Sequence, residues 1–538
     1  MPATFSQATS AATHRLAWSA AVVLAFAACA DNEATAPSSG QTTTLAASLA
    51  AARATSKVQR LERIRNRLSS GIQALFPSQK RSATSGVRLP LGRGRGGGAP
   101  SSLADVLVND RGQPGLLQSE VTIADHGGTI VLGWNDGAGV TPDLNFEAGL
   151  TGWGFSPDGG RTFIDGGSLP RISSPFFIHL GDPGLAAGND GTFFFSDICL
   201  DFGTDPILSG ICVSAGGRHG RTIGWSTPIY AVSTKPDFLD KPFIATDRQG
   251  QDVYLSYTRF LGGGGFGQIE LVASHDGGHT FGAPVVVQPE LPATVNQGSE
   301  PAVGPKGEVY VVWERGWQVS GGQFPFFTPD IVISKSTDQG RTFGPAVLIQ
   351  TITSIAFDPP SGYSRNIIND FPRIDVARTG PDRGEVYVVF HDARAGTADV
   401  YLSHSPDGVS WSEPVRVNDD PADFQFWPAV SVEPGGNVDV VWYDRRLNPG
   451  TPVTNTFWSQ STDGGETFRP NVRVSDVGSD WAATVFDPGL TANFGDYIDI
   501  SAGGNRTYAG WADGRFGDPD VFFSELRGIG KAPNFAQR

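Results

Sequence analysis

The sequence predicts an all-β chain, a seven-bladed β-propeller of four-stranded antiparallel blades, and three observations carry that expectation. A short turn phrase, STDGGETF from Ser461, recurs as SPDGGRTF from Ser156, SHDGGHTF from Ser274, STDQGRTF from Ser336 and, more loosely, SPDGVSW from Ser405. These phrases lie in a longer unit of roughly 50 to 75 residues, a repeat length that points to propellers or solenoids. With 69 glycines and 18% charged residues in 538, the chain is too turn-rich for a helical bundle and long enough for a large core.

The unit from Ser299 to Ile349 contains four β-rich runs separated by glycine turns: PAVGP, EVYVVWE, DIVISKS and GPAVLI. Such a run of four is a meander, the blade of a propeller. Counting the second runs gives TIVLGWND, GTFFFSD, DVYLSYT, EVYVVWE, EVYVVFHD, VDVVWYD and RTYAGWAD, hence seven blades. The last unit lacks a fourth run. DVLVND, Asp105 to Asp110, resembles the fourth runs PVRVND and NVRVSD, so the N-terminal strand is expected to complete the last blade and close the ring, leaving no edge exposed.

The recurring phrase falls between third and fourth strands, where its Asp can accept backbone N–H groups and its glycines supply positive φ. It resembles the Asp-box (BNR) repeat, S-x-D-x-G-x-T-[FW], of the sialidase-like propeller superfamily. The match covers five of the seven blades, with a degenerate form at SAGGRHGRTIGW. The resemblance implies architecture first, with the boxes on the face away from the binding site. It further implies a glycoside hydrolase of exo-α-sialidase-like type, or a glycan-binding protein. The family's [FY]-R-I-P motif has no counterpart in the first blade, which offers SEVTI. A non-catalytic interaction scaffold is the alternative.

The first hundred residues are of another kind. HRLAWSAAVVLAFAAC pairs a short basic start with an apolar run of signal-peptide length. FAAC resembles a bacterial lipoprotein processing site, which would make Cys29 the lipid-bearing residue; an ordinary signal peptide is the alternative. Residues 1–28 are thus expected to be the signal and 29–100 a tether. Within the tether, Leu61, Ile64, Leu68, Ile72 and Leu75 recur at helical spacing among arginines, and a Gly-rich linker follows. That helix would serve as a spacer or lie on an anionic surface. The propeller is expected over 101–528, with a polar tail at 529–538. The expected localisation is the bacterial cell envelope, on the periplasmic or outer side. Cys199 and Cys212 can pair in an oxidising compartment, with two buried thiols as the alternative. Residues 101–538 carry 28 Lys and Arg against 52 Asp and Glu, a net of −24, which argues against nucleic acid as partner. The expected partners are a glycan or glycoconjugate and, through the anchor, a membrane; a closed ring is expected to be a monomer.

Chemistry is expected on the face opposite the boxes, where strand-one entries and second-strand exits gather. The entries bring Glu120, Asp182, Asp240, Lys241, Glu300, Asp370, Arg373, Trp427, Asp496 and Tyr497. The exits bring Glu314 with Arg315, Asp392 with Arg394, Asp444 with Arg446, and Asp513 with Arg515. On the sialidase-like resemblance, Tyr497 is the candidate nucleophile and Glu300 or Asp370 its partner or the acid, while Arg373, Arg394, Arg446 and Arg515 are candidates for binding a substrate carboxylate. Against this, an Asp-x-Arg repeated in three blades is what a loop-fixing ion pair would look like, since a site breaks symmetry. No metal or cofactor motif stands out, although the acidic entries leave a Ca²⁺ open.

Overall fold

The structure, a computed structural model, describes residues 105–527 except 112–116, 140–148, 264–265, 293, 317–327, 366, 485–492 and 505. The signal, lipidation, tether and tail expectations lie outside the described residues.

Seven antiparallel sheets form the seven blades, each running in chain order from its first strand outward. Blade one is Gln118–His126, Thr129–Asp136, Thr151–Ser156 and Ile164–Ser168. Blades three to six repeat this plan, blade six adding Ser479–Asp480 beside its third strand, and their first strands are Phe238–Thr246, Val295–Val303, Arg373–Val376 and Gln425–Val432. Blade seven has three strands of its own, Asp499–Ser501, Thr507–Asp513 and Asp520–Leu526, and takes Val106–Leu107 as its fourth, pairing Val106 with Phe523 and Leu107 with Phe522. Side chains reinforce that closure. Asn109 bonds Asp520 and the Val521 amide, Arg515 bonds Asp105 at 2.7 Å, and Val108 is buried in the core of the last blade.

Blade two departs from the expectation of a degenerate box. Its third strand, Leu208–His219, turns into Thr222–Trp225 and also pairs Ile229–Thr234, giving a six-stranded sheet. Cys199 and Cys212 lie on its second and third strands, 5.9 Å apart at Cα, and form a disulfide.

Apolar side chains on the two faces of each sheet fuse neighbouring blades. The second strands supply the largest groups: Trp134, Trp313, Trp442 and Trp511 stand at matching positions in blades one, four, six and seven and are all buried. The repeated box adds a second joint. In each of the five, the Asp accepts the amide and hydroxyl of the Thr or Ser that follows, as Asp463 does from Thr467 at 3.0 and 2.5 Å, and the first Ser accepts a glycine amide. The Thr342 and Ser336 hydroxyls hold the Asp338 carboxylate down at about 2. The last glycine is pressed against the preceding blade. A Cβ at Gly160 would fall 2.4 Å from Phe523, and one at Gly408 2.6 Å from Tyr310.

One box breaks the pattern. Gln339 stands at φ +63° where three other boxes place Gly159, Gly277 and Gly464 at +72° to +75°. A non-glycine residue there costs about 1–2 kcal/mol, and glycine returns roughly half of that as unfolded-chain entropy. Gln339→Gly is therefore expected to stabilise the protein by about 0.5–1 kcal/mol. Urea unfolding checks this; a lower midpoint would contradict it.

The inner edges of the first strands face the central channel and have no strand partner. Side chains from the neighbouring blade serve instead. Thr122 accepts the Leu185 amide, Glu300 the Ile374 amide, Asp375 the Val432 amide and Asp499 the Ile123 amide. Where blade three offers Phe243 at this register, the residue of blade four due for pairing is Pro301, which has no N–H.

Candidate functional site

On the face opposite the boxes, four of the first strands start with a kink. The register slips between Ser119 and Thr122 in blade one, Asp240 and Phe243 in blade three, Gln297 and Glu300 in blade four, and Phe426 and Ala429 in blade six. Such bulges re-aim a side chain. Among the described residues six non-glycines have positive φ, and four of them are at these entries: Glu120 at +55°, Asp182 at +56°, Lys241 at +52° and Trp427 at +48°.

Three of the four meet. Lys241, 1% exposed, places Nζ 3.3 Å from Glu120 and 3.2 Å from Asp182, and also pairs with Asp496. Glu120 and Asp182 are fully buried. Burial alone would strip Lys241 of its proton, but Asp182, Asp496 and Glu120 raise its pKa well above the usual value. The carboxyls diverge. Burial, then repulsion from Asp182, pushes Glu120 well up, and burial pushes Asp240 up to about 7. Burial opposes ionisation of Asp496 too, yet Arg365 and Lys241 hold it well below the usual carboxylate range.

Arg365 reaches Asp496 at 2.5 Å and Glu120 at 3.9 Å from the crossover between blades four and five, residues 352–372. Tyr363, on the same crossover, donates to the Gly495 carbonyl at 2.9 Å and to Asp496 at 3.2 Å. The segment is fastened by the buried Arg445, which donates to the Ser361 hydroxyl and carbonyl at 3.0 and 2.8 Å and lies over Trp481. Asn493 adds a bond to the Gly362 carbonyl.

The expected site residues fall in three places. Glu300 and Arg373 form a bridge across the channel with Asp499: Arg373 donates through Nε to Glu300 at 2.9 Å, through Nη2 to Asp499 at 2.8 Å and through Nη1 to the Ile498 carbonyl at 2.9 Å. Below it, toward the box face, is a cavity of about 250 Å³. Tyr497 lies beside this bridge, 4% exposed, its hydroxyl donating to the Pro183 carbonyl at 3.0 Å. Burial, then the charges of Glu120 and Asp182, raise its pKa well above that of a free phenol, the direction opposite to activation of a nucleophile. Asp370 stands apart, accepting from His391 Nε2 at 2.7 Å and from Ser354.

Arg394, Arg446 and Arg515 share one local device. Each backbone N–H bonds one oxygen of the aspartate two residues earlier, at 2.8–2.9 Å, and its guanidinium takes the other oxygen. Each guanidinium then lies over an aromatic ring of the third strand, Tyr401, Phe457 or Phe522. Arg446 also pairs with Asp419, and Arg515 with Asp476 and Asp105.

Sequence reasoning placed Glu120, Asp182, Asp240, Lys241 and Asp496 on this face without gathering them into one cluster, and it missed Tyr363 and Arg365. The available signal for the last two was the length of their crossover, since long connections in compact domains are commonly functional. Among the described residues no group of side chains has the arrangement of a metal site.

No family model and no curated protein matches the chain. Solved structures do. An α-L-arabinanase of Penicillium chrysogenum complexed with arabinobiose is 15% identical over 64% of this chain and 94% of its own, with a TM-score of 0.43. An ulvan lyase bound to its oligosaccharide is 11% identical over 79% and 97%, with a TM-score of 0.47. A Hadza microbial sialidase is 16% identical over 71% and 75%, with a TM-score of 0.39. At such identities and TM-scores none of them assigns a family or an activity to this chain.

Proposed function

We propose that this chain is a glycan-active propeller, a glycoside hydrolase in reaction class, whose working centre is the cluster at the entries of blades one, two, three and seven. The observation that carries the proposal is the convergence of Glu120, Asp182 and Lys241, three buried titratable residues from consecutive blades, each in the left-handed backbone region. Such strain is held only where the surroundings enforce it, and it concentrates at functional sites. The divergence of the carboxyls supplies the chemistry: Glu120, pushed toward its neutral form, would protonate the leaving oxygen, and Asp496, kept ionised, would act as nucleophile or base. Burial and Asp182 raise Glu120, while Arg365 and Lys241 lower Asp496. Tyr363 would orient Asp496.

The test is a pH–rate profile on aryl glycosides with the purified propeller. Activity requires Glu120 protonated and Asp496 ionised, so the rate should fall as pH rises through the elevated Glu120 pKa and as it drops through the depressed Asp496 pKa. Glu120→Gln is expected to lower kcat by about 10²–10⁴ and to abolish the alkaline limb. A variant with wild-type turnover would remove Glu120 from this role.

The scaffold alternative is favoured by a different observation, the engagement of Arg394, Arg446 and Arg515 within their own blades. On that alternative neither hydrolysis nor glycan binding would be detected. We also propose that the propeller is exported and tethered to a membrane through Cys29. Cys29→Ser should then move the protein from the membrane to the soluble fraction, and unchanged partition would refute the anchor.

A further inference from the structure

We infer that the glycan taken by this centre is neutral, without a carboxylate or sulfate at the sugar that enters it. The inference rests on the centre being glycan-active, and it departs from the acidic sugar that the Asp-box resemblance implied. Its basis is the distribution of charge. Recognition of a sugar carboxylate in a buried site requires a cation with donors to spare, most effectively a guanidinium offering two parallel N–H groups. The two guanidiniums nearest the centre are committed. Arg365 is spent on Asp496, and Arg373 on Glu300, Asp499 and the Ile498 carbonyl. At the second-strand exits Arg259 is held by Asp237 and Glu270, Arg315 by Asp330, and the three Asp-x-Arg arginines by their own aspartates. Arg445 gives its donors to Thr454, Ser361 and Thr451.

Two further facts point the same way. The internal segments outside the description, 112–116, 140–148, 264–265, 293, 317–327, 366, 485–492 and 505, contain no Lys, Arg or His in their sequence, so none of them supplies the missing cation. Within the cluster the acids outnumber the bases: Glu120, Asp182, Asp240 and Asp496 face Lys241 and Arg365. With Glu120 protonated, Asp182 and Asp496 match the charges of Lys241 and Arg365, so an entering carboxylate would find no unpaired positive charge to offset its desolvation, whereas hydroxyls of a neutral sugar can donate to the ionised carboxylates.

The experiment compares matched ligands that differ only in charge. Purified protein is applied to an array of neutral oligosaccharides and their uronate-bearing or sialic-acid-capped counterparts. Turnover is measured on the 4-nitrophenyl pairs glucoside and glucuronide, galactoside and galacturonide, and on an aryl sialoside. The expected result is binding or cleavage within the neutral set, with each acidic counterpart at least tenfold weaker or slower. An acidic ligand bound or cleaved as well as its neutral match overturns the inference and leaves the glycan-active centre standing. Failure of both sets to bind or turn over overturns the inference together with that centre.

Discussion

Deletion of residues 101–111 is expected to yield a protein that aggregates on expression or melts many degrees below the parent. The deletion removes Val106–Leu107 and so exposes the edge of Asp520–Leu526 at Val521, Phe522 and Phe523. It also removes Val108 from the core, frees Asp520 from Asn109 and Arg111, and takes Asp105 away from Arg515. An unpaired edge in an open ring is a template for another chain. Deleting residues 31–95 should leave the melting temperature nearly unchanged. Scanning calorimetry and size-exclusion chromatography of the two truncations decide the matter, and equal melting would refute closure by this strand.

The second large effect is expected at Arg373. Its guanidinium is surrounded by Glu300, Asp499 and the Ile498 carbonyl in the middle of the ring, and the residue is 6% exposed. Arg373→Met leaves the buried Asp499 and the partly buried Glu300 facing each other without a cation. Breaking a buried pair in this way costs about 3–5 kcal/mol. Adding Glu300→Gln and Asp499→Asn should recover most of the loss, because the amide oxygens can still accept the Ile374 and Ile123 N–H groups that these side chains serve. Denaturant unfolding of the single and triple variants measures both quantities. If Arg373→Met unfolds at the parent midpoint, or if its main consequence is weaker ligand binding at unchanged stability, the architectural role is wrong and the substrate-clamp expectation from sequence returns.

Much of the fold was legible because its signals are local. Each second strand is a run of alternating and aromatic residues between glycine turns, and each box is a turn whose hydrogen bonds join residues two to four apart, as between Ser461, Asp463 and Thr467. Blade two was less legible: its third strand continues into a hairpin in place of a box, and the glycines of SAGGRHGRTIGW serve both designs. The Asp-x-Arg pairs were equally visible, their partners standing two residues apart.

The sequence by itself determined the number of blades, the position of the closing strand and the face on which the entries gather, since each of these follows from hydrophobic period, turn chemistry and repetition. Only the tertiary structure decided which charges face each other there. Lys241 meets Glu120 across 121 positions of sequence and Asp496 across 255, while Arg365 comes to the same carboxylate from a crossover that carries no repeat. In a closed ring the first strands of all blades share one axis, so the partners of an entry residue are set by its height on that axis and by the left-handed kink that turns its side chain. Neither quantity is encoded by the spacing of residues along the chain.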